Sequence, residues 1–395
     1  MNPPSPDPAA SPSPGPSASP APHPADPVVA ELARIDGIDV VPGARLADLT
    51  TLRIGGRPRA LLECADAEAV VAAVRALDAA DVPVLVLGGG SNLVVAGGDL
   101  DLVVVALRNR EISYVSGGGD HQLVVRAGAG LTWEDLVADT VARGYGGLEC
   151  LSGIPGSVGA TPVQNVGAYG VEVAQVLHRV RWLDRATGVD EWVAPDALGL
   201  AYRTSVLKNS DRAVVLEVEF RLDPAGRSEP IRYAELAGRL GVAPGERTDP
   251  AVVRRTVLEL RRGKGMVLDD DDEDTWSAGS FFTNPVIGED ELPTVRSRVA
   301  GRLGSAQAEQ MPAFSAPGGI KLSAGWLIER AGFSKGHPSS SSPARLSTKH
   351  ALALTNRGSA TADDVIALAR EVRDGVREAF GVELYPEPVW VGCSI

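Results

Sequence analysis

Apolar residues recur along this 395-residue chain in runs of two kinds. Alternating or continuous runs predict strands at RALLECA (59–65), LDLVVVAL (100–107), HQLVVRAGAG (121–130), HRVRWLD (178–184) and RAVVLEVEFRL (212–222). Runs with apolar residues three and four apart predict helices at DAEAVVAAVRALDAA (66–80), LTWEDLVADTVARGY (131–145) and PAVVRRTVLELRRGK (250–264). The same spacing predicts two more, KLSAGWLIERAG (321–332) and ADDVIALAREVRDGVREAF (362–380). Asp66 reads as an N-cap, and Thr132 with Asp135 three residues on reads as a capping box. VPVLVLGGGSNLVV (82–95) is one apolar run broken by three glycines. With the preceding strand and helix it predicts a βαβ unit that ends in a glycine turn. The class is α+β.

Composition changes the picture at two places. The leader MNPPSPDPAASPSPGPSASPAPHPADP is Pro, Ala and Ser with almost no aromatic content. It cannot bury enough apolar surface to offset ordering, so residues 1–28 read as disordered, with a partner-docking polyproline segment as the alternative. It lacks the basic and apolar regions of a signal peptide. The run DDDDED (269–274) reads as a solvated loop rather than a metal site, since no His lies nearby; no metal is expected. Three units result, 29–107, 108–265 and 266–380, followed by a C-terminal strand within 381–395. The net charge of −13 excludes general nucleic-acid affinity but leaves room for a phosphate ligand in a local nest of N–H groups. Cys64, Cys150 and Cys393 form no CxxC pair and read as reduced thiols. No run approaches the roughly 20 apolar residues of a membrane span. A cytoplasmic protein with no membrane partner, monomeric or weakly dimeric, is the expectation.

Two glycine-rich stretches carry the strongest local chemistry. In Gly88-Gly89-Gly90-Ser91-Asn92-Leu93 the glycines allow positive φ and close approach, so that successive N–H groups can cradle a diphosphate. The stretch fails the dinucleotide fingerprint, because neither a helix with a third glycine nor an acidic partner follows. LSGIPGSVGATPVQNVGAYG (151–170) is too apolar to be a plain linker. Two separated nests suggest a large phosphorylated cofactor lying between two small domains. Structural loop packing is the alternative for each.

TTLRIGG (50–56), VLGGGSN (86–92), GLECLSGIPGSVGATPVQNVGAYG (147–170), YRTSVLK (202–208), AGSFFTNP (278–285), KLSAGWLIERAG (321–332) and YPEPVWVG (385–392) occur in this order. Together they resemble the UDP-N-acetylenolpyruvoylglucosamine reductase family, over roughly residues 40–393. The first half is also similar to the wider vanillyl-alcohol-oxidase type of fold, which binds FAD between two α+β subdomains; a C-terminal α+β substrate domain follows. The resemblance implies that NADPH reduces non-covalently bound FAD and that hydride then passes from flavin N5 to the enolpyruvyl C3. A UDP-sugar is the implied substrate and UDP-N-acetylmuramate the product. The rival reading is a sugar or alcohol oxidase on the same fold.

The resemblance further implies residue roles. Ser280 matches the proton donor to C2. Arg203 matches the arginine facing the substrate carboxylate, and Glu387 the glutamate beside the reacting double bond. Tyr233 matches the tyrosine that closes over the UDP part in the longer form of the enzyme. Lys264, Asn284 and Tyr202 are implied as further substrate contacts or neighbours. The cofactor is implied to lie on Gly88 to Leu93 and on Ile154, Pro155, Gly156, Ser157, Gly159, Ala160, Gln164, Asn165, Gly167 and Ala168. Two departures stand out. Thr283 replaces the lysine of an FFKNP pattern, with Lys321 as a substitute base, and HPSSSSPARLSTKH (337–350) replaces a glycine-rich run.

Overall fold

The strand Asp99–Leu107, whose last five residues are all buried, is the spine of the first sheet. In the computed structural model, which describes residues 27–116 and 123–395, it lies between Arg57–Cys64 and Val84–Leu87, parallel to both. Ile38–Val41 adds an antiparallel outer strand. The expected βαβ unit is therefore present, but a later strand, Asp99–Leu107, is inserted between its two. A run such as VVVAL suits that position, because a central parallel strand is buried on both faces. The intervening helix, Ala67–Ala79, buries Val70, Val74 and Leu77. It is capped as expected, with the Asp66 carboxylate accepting the Ala69 N–H at 2.7 Å. The expected leader lies outside the described residues except for Pro27 and Val28, which open a short helix, Pro27–Leu32.

The second sheet has five antiparallel strands in the order Asp190–Val193, Leu177–Asp184, Ala213–Leu222, Leu123–Gly128, Ile112–Ser116. Its two edge strands escape the apolar pattern, since none of Ile112–Val115 or Asp190–Val193 is buried. The helix Trp133–Ala142 begins without the expected capping box: Thr132 makes no side-chain cap bond. That helix start instead anchors the second glycine-rich stretch. Thr132 bridges Ser157, the Trp133 N–H donates to the Gly156 carbonyl at 3.0 Å, and the Glu134 carboxylate accepts the Gly153 N–H.

The C-terminal third packs the helices Leu292–Leu303, Ala324–Ala331 and Ala362–Phe380 with a three-stranded sheet, Val286–Ile287, Gly319–Leu322 and Ala313–Ala316. Its core reaches back into the N-terminal segment, collecting Leu52, Ile54 and Val94. Two polar ties fix this docking. The Thr51 hydroxyl donates to the Ser277 carbonyl at 2.7 Å, and the Asn356 amide donates to the Leu52 and Arg53 carbonyls, each at 3.1 Å. The apolar run 82–95 divides at its glycine turn, as expected. Val84–Leu87 stays in the first sheet, and Leu93–Val95 pairs in parallel with the C-terminal strand Val389–Val391. The chain end thus returns to the glycine turn.

The acidic run departs from a purely solvated loop. Asp270 and Asp271 are exposed, but Asp274 is 5% exposed, and its carboxylate accepts from the Thr348 N–H, the Thr348 hydroxyl and Arg357. Asp272 pairs with Lys349. Among the described residues no helix is long and apolar enough to cross a membrane.

Candidate active site

Both glycine-rich stretches, the C-terminal strand and the AGSFFTNP segment line one cavity of about 1080 Å³. That is just above the range of roughly 300–1,000 Å³ for single-ligand pockets, so it has room for a large cofactor with a substrate beside it. The two nests pack on each other. A Cβ added at Gly88 would stand 2.2 Å from the Ser157 hydroxyl, and one at Gly89 would stand 2.6 Å from the Gly156 Cα. Gly90 has φ +60°, and a Cβ there would meet the Leu49 carbonyl oxygen at 1.9 Å. Only glycine permits this approach.

The residues present fit FAD. Ser157 Oγ and Arg261 Nε are buried without a hydrogen-bond partner among the described residues, and both side chains line the cavity. A buried polar group without a partner costs about 1–3 kcal/mol, which an anionic ligand accepting from it removes. Ser157→Ala is accordingly expected to weaken FAD binding by roughly three- to tenfold, measured by flavin titration of the apoprotein.

Of the residues singled out in the sequence, Gly88 to Leu93, Ile154, Pro155, Ser157, Gly159, Ala160, Gln164, Gly167 and Ala168 line the cavity, with Arg203, Tyr233, Lys264, Ser280 and Glu387. Gly156 stands behind them, against Gly89. Asn165, Tyr202 and Asn284 are not part of this lining. Asn165 is 1% exposed and directs its amide to Glu172 and the Ala201 carbonyl, so it braces the loop. Asn284 accepts the Ala324 N–H at 2.9 Å at the start of a helix.

Arg203 takes φ +54°, a strained value for a side-chain-bearing residue, and its neighbours hold it there. Its Nη2 donates to the Gly167 carbonyl at 2.6 Å, and its Nε lies 3.7 Å from the Glu387 carboxylate. The Glu387 backbone joins two walls: its N–H donates to the Phe281 carbonyl at 2.8 Å, and its carbonyl accepts from the Asn92 amide at 3.4 Å. Burial raises the Glu387 carboxyl above its ordinary value, and the charges of Arg203 and Lys208 oppose this without cancelling it. Folding therefore favours the protonated form. The stability this provides is present in acid and lost as pH rises through the raised value. Glu387→Gln removes the titration, so its gain in Tm over the parent is expected to be larger near about pH 8 than near about pH 4. A gain independent of pH in calorimetry contradicts that assignment.

Lys264 donates to Glu235 at 2.8 Å. Burial works against its charge, but the hydrogen bond and charge of Glu235, with Tyr169 and Tyr233, leave it above its ordinary value. Tyr233, 42% exposed, meets Tyr169 edge-on at 5.4 Å. Thr283 donates its hydroxyl to the Tyr385 carbonyl at 3.3 Å, while Lys321 Nζ lies 5.2 Å from the centre of the Tyr202 ring. Cys150 is fully buried, lies outside the cavity lining, and has its thiol pushed up by burial first.

Sequence reasoning missed three cavity residues with evident chemistry. Lys208 donates to the Arg203 carbonyl at 3.0 Å, and burial lowers its pKa. Arg261 is lowered to about 10, mainly by burial. His350 lies 3.4 Å from the Ser280 hydroxyl. Lys208 stood within a quoted motif, and His350 closes the segment recognised as a departure; only the fold brings them to the cavity.

Comparison with known proteins identifies the family. The family described as UDP-N-acetylenolpyruvoylglucosamine reductase, C-terminal domain, matches residues 271–391, and the FAD binding domain family matches residues 58–191. A UDP-N-acetylenolpyruvoylglucosamine reductase of Nocardia farcinica is 59% identical over 367 residues, covering 93% of this chain and 94% of the relative. One of Mycobacterium tuberculosis (strain H37Rv) is 55% identical over 369 residues, covering 91% and 97%. A crystal structure of UDP-N-acetylenolpyruvylglucosamine reductase from Thermus caldophilus aligns with a TM-score of 0.57 at 25% identity, covering 90% of this chain and 98% of that one. The chain belongs to the UDP-N-acetylenolpyruvoylglucosamine reductase family.

Proposed function

We infer that this flavoprotein oxidoreductase carries out its family's reaction with Ser280, Arg203 and Glu387 as its catalytic set. The reaction is the NADPH-dependent reduction of UDP-N-acetylglucosamine enolpyruvate to UDP-N-acetylmuramate, a step of peptidoglycan precursor synthesis. The observation that carries the residue assignment is convergence: these three side chains and Lys264 share one cavity with both glycine nests. Bound FAD supplies the hydride chemistry, from NADPH to the enolpyruvyl C3.

The chain's own residues do the rest. Arg203 is fixed by the Gly167 and Asn165 carbonyls and by Glu387, and its remaining N–H groups would pair with the substrate carboxylate. Charge accumulates on that carboxylate as C3 gains its hydrogen, so a positioned guanidinium acts where charge develops. Ser280 then gives its hydroxyl proton to C2. Tyr233, presented at the cavity on Tyr169, supports a role in closing over the UDP part. Lys321, whose Nζ faces the Tyr202 ring, which in turn hydrogen-bonds Asn284, is the base that would replace the lysine missing at 283. Three free cysteines and the absence of a membrane-crossing helix among the described residues support a cytoplasmic setting.

The test is turnover by purified protein. NADPH oxidation dependent on the UDP-enolpyruvyl sugar, with one UDP-N-acetylmuramate formed per NADPH, is expected. Rapid turnover with an alcohol and oxygen instead would favour the oxidase reading.

A further inference from the structure

Ser280 has one hydroxyl proton, and a proton donor to carbon must direct it into the cavity rather than spend it on a protein acceptor. The imidazole of His350 stands beside that oxygen, with Nε2 3.4 Å from Oγ, and both side chains line the cavity. The contact is held by backbone. The Phe281 N–H donates to the Leu352 carbonyl at 2.7 Å, strapping the serine segment to the histidine turn. Ser347 Oγ closes that turn by accepting the N–H groups of Lys349 at 3.0 Å and His350 at 3.2 Å. The acidic run then fixes the turn from below through Asp274 to Thr348 and Asp272 to Lys349. These carboxylates therefore serve to hold His350 against Ser280.

We propose that neutral His350, carrying its proton on Nε2, is a positioning residue that donates a hydrogen bond to Ser280 Oγ, aims the serine proton at the substrate and stabilises the oxygen as that proton leaves. This rests on Ser280 being the proton donor. A hydroxyl oxygen accepts through its lone pairs while its one proton stays free. In the step, the Oγ–H bond breaks, the electron pair of the substrate's enolate-like carbon forms the new C2–H bond, and the negative charge is left on Oγ. The Nε2–H group bonds to that charge without transferring its proton, and solvent returns a proton to Oγ after turnover. Burial, together with the charges of Lys264, Lys335 and Arg261, lowers the imidazole to about 4, which keeps it a neutral donor. The same cations favour negative charge on the neighbouring oxygen.

The test separates the half-reactions in the FAD-loaded enzyme. His350→Phe is expected to leave flavin reduction by NADPH within about twofold and to slow reoxidation by the enolpyruvyl substrate by about 10- to 100-fold. His350→Gln, which keeps an N–H donor, is expected to recover most of that loss. In a Ser280→Ala background His350→Phe is expected to add nothing. Nitrogen NMR of the labelled ring is expected to show Nε2 protonated and the ring neutral near about pH 7. Normal reoxidation in His350→Phe alongside slow reoxidation in Ser280→Ala overturns the histidine role and leaves the serine reading standing. Normal reoxidation in Ser280→Ala overturns the serine reading itself. Equal loss of both half-reactions in His350→Phe, or a proton on Nδ1 alone, also overturns the proposal. If His350→Phe does not retain flavin, the tautomer in the parent enzyme decides.

Discussion

Replacing Ser280 by Ala slows reoxidation of the reduced flavin by the enolpyruvyl substrate by between about 10² and 10⁴-fold, the range for a positioned general acid. Flavin reduction by NADPH stays within about twofold, because no proton on carbon is needed there. The fold does not depend on this hydroxyl. The segment around it is held by main-chain bonds: Phe281 N–H to Leu352, Thr283 N–H to Tyr385, and Glu387 N–H to Phe281. The variant's Tm is therefore expected within about 2 °C of the parent, and stopped-flow absorbance reads the two half-reactions separately. If both slow equally, Ser280 is holding the flavin or the site together rather than supplying a proton.

Gly90→Ala is expected to purify with little flavin and to bind added FAD about 100-fold more weakly, a difference of about 2.7 kcal/mol. Two causes act together. The residue sits at φ +60°, and its added methyl would lie 1.9 Å from the Leu49 carbonyl oxygen, a backbone atom that cannot swing aside. Relief requires moving the turn, which also carries the Gly90 carbonyl that accepts the Thr51 N–H at 3.2 Å. Gly97→Ala is the control: nothing lies within 4 Å of an added Cβ there. Flavin content per chain, from absorbance, compares the two. Equal flavin content in both variants would mean that the first nest does not form part of the cofactor site.

The main elements were legible where burial is strong and local. The helix Ala362–Phe380 starts and stops at the residues its apolar spacing indicates, because it buries a continuous stripe from Val365 to Phe380. The Asp66 cap was legible for the same reason of locality. What escaped depends on partners distant in sequence. Asp99–Leu107 takes the central place between two strands that precede it, and only sheet pairing decides that order. The glycine turn that divides the run from Val84 to Val95 was legible, but the pairing of Leu93–Val95 with Val389–Val391, nearly 300 residues away, was not. Thr132 has the residue types of a capping box, yet its side chain makes no cap bond and its flanking residues are tied to the glycine-rich loop, Trp133 N–H to Gly156 and Val158 N–H to Leu131. An Asp-Pro helix start at Asp249 was a readable signal left unused; its carboxylate accepts the Ala251 N–H at 2.7 Å.

The candidate site shows the same division. The glycine nests are contiguous in sequence, so their chemistry could be read there. The pairing of Arg203 with Glu387 and of Ser280 with His350 exists only because the chain end returns beside the glycine turn and the acidic run grips the turn at 347–350. A carboxylate such as Asp274 looks like a solvated charge in a row of acids, and becomes a buried clamp only when Thr348 and Arg357 arrive.

The most direct test of the whole account is an anaerobic titration of the purified protein followed by its visible spectrum. Oxidised flavin bands near roughly 370 and 450 nm are expected to bleach with NADPH and return on adding UDP-N-acetylglucosamine enolpyruvate, with one UDP-N-acetylmuramate formed per flavin. Flavin that stays reduced with that substrate and recovers only when oxygen is admitted would contradict it.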